Sequence, residues 1–320
     1  MARSGIICAG NWIVDLIHEV QHWPNESDLV RIDAQTRGIG GGPANVIGAL
    51  ARLDTGLSLW PMGALGDDAF AAFVLETCHT LGLPTGELTR KPDTATAHTH
   101  VMSVPGQSRT FFYHGGANDL LSAADFAPGT FAKTDARVFY LGYLTLLPTL
   151  DRIDADGHTE AATILARAQA AGLVTCVDLV STERPDFEAI VTAAAPFIDY
   201  LIVNEVEAAR AAGLDHHDLP RLGQALLTKG IGKAAVLHSA ETVHWAGVDG
   251  MALSRSVPPL PPSEIASHLG AGDAFCAGLL YALHEGWDAE ATLDLAIRVA
   301  RASLKGVTAH SAIPPLSQLS

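Results

Sequence analysis

Short apolar runs alternate with helix-period segments along most of this chain, and that order constrains its fold more than any other feature. Ile6-Ile7-Cys8-Ala9, Leu57-Ser58-Leu59-Trp60, Val138 to Leu141, Val174 to Leu179, Tyr200 to Val203 and Ala235 to His238 read as buried strands. Helical spacing recurs in Val46, Ile47, Leu50 and Leu53, in Phe70, Phe73, Val74 and Leu81, and late in the chain in Leu293, Ala296, Ile297, Ala300 and Leu304. Such a βαβα order predicts an α/β fold, with a mostly parallel central sheet, helices on both faces and ligands at the carboxyl ends of the strands. The 320 residues suffice for one large α/β domain or two smaller ones, and a single domain over 1–320 is the expectation.

Two segments break the alternation. Residues 13–35 contain no helix of useful length, and residues 94–113 alternate in the strand manner through His98, His100 and Met102 to Thr110, Phe111, Phe112 and Tyr113. We expect them to form a small separate sheet, inserted near the ligand-binding strand ends as a lid. An edge extension of the main sheet is the alternative. The run Phe111-Phe112-Tyr113 puts aromatic rings on both faces of that sheet, which predicts burial against a second subunit.

Gly270-Ala271-Gly272-Asp273-Ala274-Phe275 joins a turn of small residues to a helix. Cys276, Leu279, Leu280 and Leu283 continue it at helical spacing, so a helix is expected from about Ala271 to Glu285. Its first turn carries unpaired backbone N–H groups and the positive end of the macrodipole, and the glycines let a bulky anion approach them. A carboxylate competes with that anion unless it has its own task, such as accepting a proton from a hydroxyl that attacks a phosphate. An ordinary turn followed by a favourable first-turn acid explains the same letters, and both readings stand on this stretch alone.

Composition narrows the partners. A formal charge of −15 with no compensating polybasic run disfavours nucleic acid and anionic lipid and favours a small molecule. No stretch approaches the roughly eighteen consecutive apolar residues of a membrane span, and the N-terminal apolar run is too short for a signal peptide, so a cytoplasmic protein is expected. The four cysteines, Cys8, Cys78, Cys176 and Cys276, are far apart and read as buried thiols. His18-Glu19-Val20-Gln21-His22 fits a zinc-peptidase pattern that needs a helix, yet Pro24 follows closely and no long helix can be drawn around it. Gly38-Ile39-Gly40-Gly41-Gly42-Pro43 lacks the third glycine of a dinucleotide fingerprint.

Gly-Gly-Gly-Pro-Ala-Asn at 40–45 and Gly-Ala-Gly-Asp-Ala-Phe at 270–275 resemble the two signatures of the ribokinase-like (PfkB) carbohydrate kinases. Asn204-Glu205-Val206-Glu207 is similar to that family's Asn-x-x-Glu element, and Gly115-Gly116-Ala117-Asn118 resembles the loop that follows its lid. Four ordered matches span nearly the whole chain. The resemblance implies a ribokinase-like fold and transfer of the ATP γ-phosphoryl group to a sugar hydroxymethyl group. By the same resemblance Asp273 is the general base, and Gly270, Ala271 and Gly272 form the anion hole. Asn11, Asp15, Gly41, Gly42 and Asn45 bind the sugar. Asn204 and Glu207 organise magnesium and its waters near the nucleotide, and a lid-to-lid homodimer is expected.

Short amides and carboxylates suit vicinal diols, because each makes two hydrogen bonds in a fixed plane. Asn45 as a helix cap and Asp15 as a turn residue are the plainer alternatives. The chain departs from the family pattern at Ser267-His268-Leu269, where an Asp-Thr pair usually precedes the glycines, and at His238-Ser239-Ala240-Glu241, where a glycine is common. Ser239 is the candidate for reaching a phosphate there. The missing Asp at 267 removes the charge that would hold a monovalent cation, so weak dependence on potassium is expected. A nucleoside kinase of the same family and a catalytically silent sugar sensor are the competing functions.

Overall fold

The computed structural model describes residues 4–107, 109–215 and 218–319. The first three residues, part of the N-terminal signal-peptide expectation, lie outside it. In chain order the strands are β1 (Ile6–Gly10), β2 (Ile13–Val20), β3 (Ile32–Gly40), β4 (Leu59–Leu65), β5 (Leu88–Arg90), β6 (His98–Ser103) and β7 (Thr110–His114), followed by β8 (Val138–Leu144), β9 (Val174–Leu179), β10 (Tyr200–Asn204), β11 (Ala234–His238), β12 (Thr242–Gly247) and β13 (Ala252–Ser256). Nine of them form one sheet in the order β13-β12-β11-β10-β9-β8-β1-β4-β5, parallel from β11 to β5, with β12 and β13 added antiparallel.

Alternate residues of the parallel strands feed two cores. Ile6, Cys8, Val138, Tyr140, Cys176 and Val236 pack with the helices Gly42–Arg52, Ala271–Glu285 and Ala289–Ser303 on one face. Ile7, Ala9, Phe139, Leu141, Val177 and Leu237 meet Glu160–Ala170, Phe187–Ala194 and Leu219–Leu227 on the other. Burial on both faces explains why these strands are continuous apolar runs rather than alternating ones. The four cysteines are free and buried in this interior. Among the described residues no helix is long and apolar enough to cross a membrane.

The chain steps outward from β1 to β4 and β5, then returns to β8 and proceeds the other way. The strand order therefore reverses between β1 and β8, which leaves a crevice at their carboxyl ends. The second sheet, ordered β3-β2-β6-β7, rises beside that crevice. It is separate from the main sheet, and its first pair runs further than the sequence indicates. Arg37 to Gly40 are the last residues of β3 and pair with Leu16 to Ile13. Gly63-Ala64-Leu65 are the buried end of β4, beyond the strand-like run Leu57 to Trp60, and they are the residues of β4 that pair with β5. Pro61 thus stands where β4 is an edge, the place a sheet tolerates proline. His18 lies in β2 and His22 beyond its end, so the two histidines do not share a helix face.

Candidate active site

Asp273 sits in the first turn of the Ala271–Glu285 helix and is only 5% exposed. The preceding Gly270 takes φ 73°, a left-handed conformation that favours glycine, and as the cap residue it supplies no side-chain acceptor. The first-turn amides are therefore left for an anion.

Asp273 Oδ2 accepts from Asn45 Nδ2 at 2.8 Å and from the Tyr143 hydroxyl at 3.1 Å. Burial pushes its carboxyl up to about 7, the two hydrogen bonds oppose the rise, and the nearby charges of Asp15 and Glu207 add to it. Asn45 comes from the first turn of the Gly42–Arg52 helix, whose cap Gly41 has φ 87° and lies so close to the Asn11 carbonyl that no Cβ fits. Among the described residues the buried amide oxygen of Asn45 has no hydrogen-bond partner. Asn45 is thus not the helix cap, and it has an acceptor left for a ligand.

Asn11, directly after β1, donates to the Tyr143 carbonyl at 3.3 Å and accepts from the Tyr113 hydroxyl at 3.4 Å. Asn118, in the loop after β7, donates to the Trp12 carbonyl at 3.1 Å and fixes the same turn. Asp15 belongs to β2 and is not a turn residue. Burial pushes it up to about 6, against a Thr99 hydrogen bond and the positive charge of Arg109.

Sequence reasoning missed Tyr143 and Asp178. Asp178 Oδ2 accepts from the Tyr140 hydroxyl at 2.6 Å, and Oδ1 from the Tyr143 backbone N–H at 2.7 Å. Burial, then the charge of Asp273, hold Asp178 well above the usual carboxylate range. It anchors Tyr143 in a left-handed conformation, φ 58°, from which the phenol reaches Asp273. The available signal was a carboxylate inside the apolar run Val174 to Leu179, next to a strand's carboxyl end.

Asn204 and Glu207 form a capping box. Asn204 Oδ1 accepts from the amides of Val206 and Glu207 at 2.9 Å each, and Glu207 Oε2 accepts from the Asn204 amide at 3.1 Å. Ser181 donates to Glu207 Oε1 at 3.1 Å, and burial raises the Glu207 carboxyl. This carboxylate lines the same cavity of about 180 Å³ as Asp273 and Asp178. Ser239 is otherwise engaged: its hydroxyl donates to the Thr242 carbonyl at 3.0 Å and accepts from the Thr242 amide at 3.0 Å. That turn ties up the hydroxyl proton expected to reach a phosphate.

A second cavity, about 440 Å³, adjoins the first through Ala271, Gly272, His238 and His268. Its walls are mainly apolar, with Val243, Val257, Leu260, Phe275, Ile297 and Leu304.

The model of the pfkB family carbohydrate kinases matches residues 3–316. The chain belongs to the PfkB family of carbohydrate kinases. As a PfkB kinase it is a phosphotransferase with an alcohol as acceptor. Two similar relatives are a deoxyribokinase of Salmonella typhimurium, 24% identical over 98% of this chain and 96% of that one, and a 5-dehydro-2-deoxygluconokinase of Geobacillus thermodenitrificans, 24% identical over 98% and 91%. Ribokinase of Arabidopsis thaliana, solved with ribose and ATP, superposes with a TM-score of 0.81 at 20% identity, over 100% of this chain and 98% of that one. Fructokinase of Xylella fastidiosa with bound ATP gives 0.76 at 23% identity, over 100% and 97%. At these identities the solved structures establish the ribokinase-like fold of this PfkB member.

Proposed function

We propose that this protein transfers the γ-phosphoryl group of ATP to a hydroxymethyl group of a sugar, with Asp273 as general base. The observation that carries the reading is the Asp273–Asn45 hydrogen bond between two helices beside uncapped first-turn amides: a proton acceptor, a vacant amide oxygen and an anion site gathered at one point. The substrate hydroxyl donates to Asp273, and the first-turn amides of Ala271 and Gly272 stabilise charge on the moving phosphoryl group. Asn11, Asp15, Gly41, Gly42 and Asn45 surround the sugar. The apolar cavity suits a flat base, and its junction at Ala271 and Gly272 leads the phosphates towards Asp273.

Glu207 fits magnesium held through water, because its buried carboxylate already accepts from Asn204 and Ser181 and would take further hydrogens from bound waters rather than the ion itself. When bound, magnesium would neutralise nucleotide phosphate charge. The relatives named deoxyribokinase and 5-dehydro-2-deoxygluconokinase favour a sugar, or its acid, over a nucleoside. Assay of a panel of sugars and nucleosides by coupled ADP detection tests this, and turnover of nucleosides alone would overturn it.

Tyr143→Phe removes a donor that favours ionised Asp273. The group's pKa should rise further, so the acid limb of kcat/KM moves to higher pH and activity at pH 7 falls several-fold. A limb at unchanged pH would show that the phenol does not act on Asp273.

Ser267 is buried and accepts from the Leu269 amide at 2.9 Å, so its oxygen is partly committed and carries no charge. We expect potassium to change the rate less than twofold, roughly, and Ser267→Asp to increase the dependence. Rates against potassium chloride at fixed ionic strength decide it, and large saturable activation of the wild type would contradict it.

Phe111 and Phe112 are 55% and 53% exposed on opposite faces of the small sheet. We propose that a second copy covers them in a homodimer joined through these sheets, which act as lids. Light scattering should give twice the chain mass at micromolar protein, and a monomer would reject the assembly.

A further inference from the structure

Three arginines lie in or beside the small sheet, and among the described residues Arg109 is the one whose charge acts on Asp15. Arg37 stacks 4.0 Å over the Phe73 ring, and the Arg31 side chain is 88% exposed. Arg109, one residue before β7, lies within the electrostatic reach of Asp15 and Glu19, which share one face of β2. Its buried Nη1 has no hydrogen-bond partner among the described residues. An unpaired buried guanidinium nitrogen is costly, so a donor left this way marks a place for an acceptor.

Asp15 also acts on Asp273 and on Tyr143. Asp15 pairs with Thr99 and Thr99 with Tyr113, whose hydroxyl reaches Asn11, while Glu19 pairs with Ser103 at the end of the sheet where Arg109 precedes Thr110, so Asp15 lies nearer the reacting end of the crevice and Arg109 further along the same sheet. A sugar whose reacting hydroxyl meets Asp273 would pass Asp15 and bring its far end to Arg109. The carboxylate accepts from a hydroxyl and the guanidinium donates to an oxygen, so the pair grips a polyol from two sides.

The charges select among substrates. Arg109 contributes one positive charge against the two carboxylates Asp15 and Glu19. A carboxylate or phosphate on the far end of the substrate would add a third negative charge to one positive. A neutral sugar adds none.

We infer, building on the sugar-kinase reading above, that Arg109 is a specificity-determining residue: it donates to a hydroxyl or carbonyl oxygen at the substrate end remote from the phosphorylated carbon, and with Asp15 and Glu19 it selects neutral sugars over sugar acids and sugar phosphates. The test is steady-state kinetics of the wild type, Arg109→Met and Arg109→Lys with neutral aldoses and ketoses, and with the aldonates of the same carbon skeletons. Arg109→Met should raise the sugar KM about 10- to 100-fold with kcat and the ATP KM little changed, and Arg109→Lys should recover part of the loss. The wild type should prefer each neutral sugar to its aldonate. An unchanged sugar KM in Arg109→Met, in an enzyme that phosphorylates sugars, overturns this inference alone. So does a higher kcat/KM for an aldonate. A wild type that phosphorylates no sugar at all removes the kinase reading together with the inference.

Discussion

Asp273→Asn should lower kcat by roughly a hundredfold to ten-thousandfold while sugar binding survives. The amide matches the carboxylate in size and still accepts from Asn45 or Tyr143, so what is lost is the proton acceptor. The same substitution removes a buried charge. Asp273 is held up to about 7 in the folded chain, well above its unfolded value near 4, so the unliganded wild type loses stability as pH rises from about 4 to 7, and the loss is complete above 7. The Asn variant should therefore melt higher than wild type at pH 8, by a free energy on the order of a few kcal/mol, and the gain should shrink as pH falls below 7 and vanish only below about pH 4, where the unfolded chain's carboxyl is protonated too. Turnover at the wild-type rate would remove Asp273 from the base role. Equal melting temperatures at pH 8 would show that the carboxyl is not held protonated at neutral pH.

Asp15→Ala acts on affinity instead. Asp15 is 9% exposed, on the face of β2 turned towards Asp273, and a sugar bound there gives it hydroxyl hydrogens to accept. Losing a charged acceptor should weaken sugar binding by about 2–3 kcal/mol, or about 30- to 150-fold in Kd, with a smaller change in kcat. Calorimetry showing unchanged affinity would take Asp15 out of the sugar site. Burial already raises Asp15 to about 6, so sugar affinity should also fall as pH drops through 6 and the acceptor becomes protonated.

The parallel core was legible because its strands are buried on both faces and leave continuous apolar runs such as Val138 to Leu141. The helix bearing Asp273 was legible to its ends, Ala271 and Glu285, because glycines mark both termini. The antiparallel strands β12 and β13 were not, since Ala252 to Ser256 alternates exposed and half-buried residues and carries little apolar signal. The glycines at 38 and 40 signal a turn by composition, but pairing with β2 makes them strand.

Within the site, Asp273 and Asn45 stand out from small-residue motifs. Tyr143 reads from sequence as one more aromatic in a buried strand, and its approach to Asp273 depends on a left-handed backbone fixed by Asp178, which lies 35 residues on in the chain. Ser239 shows the converse. Its residue type fits a phosphate contact, and the local turn consumes its hydroxyl. Neither outcome is encoded in a short window, because each follows from a hydrogen bond made in the folded chain.

The most direct measurement of the central claim is to follow the γ-phosphoryl group itself. The enzyme is incubated with magnesium ATP and the best sugar of the panel, and the product is analysed by phosphorus–proton correlation NMR while ADP is quantified. The account predicts ADP and sugar phosphate in equal amounts, with the phosphoester on the hydroxymethyl carbon, and loss of both with Asp273→Asn. ADP released without a sugar phosphate, or a phosphoester formed at the wild-type rate by the Asn variant, would contradict it.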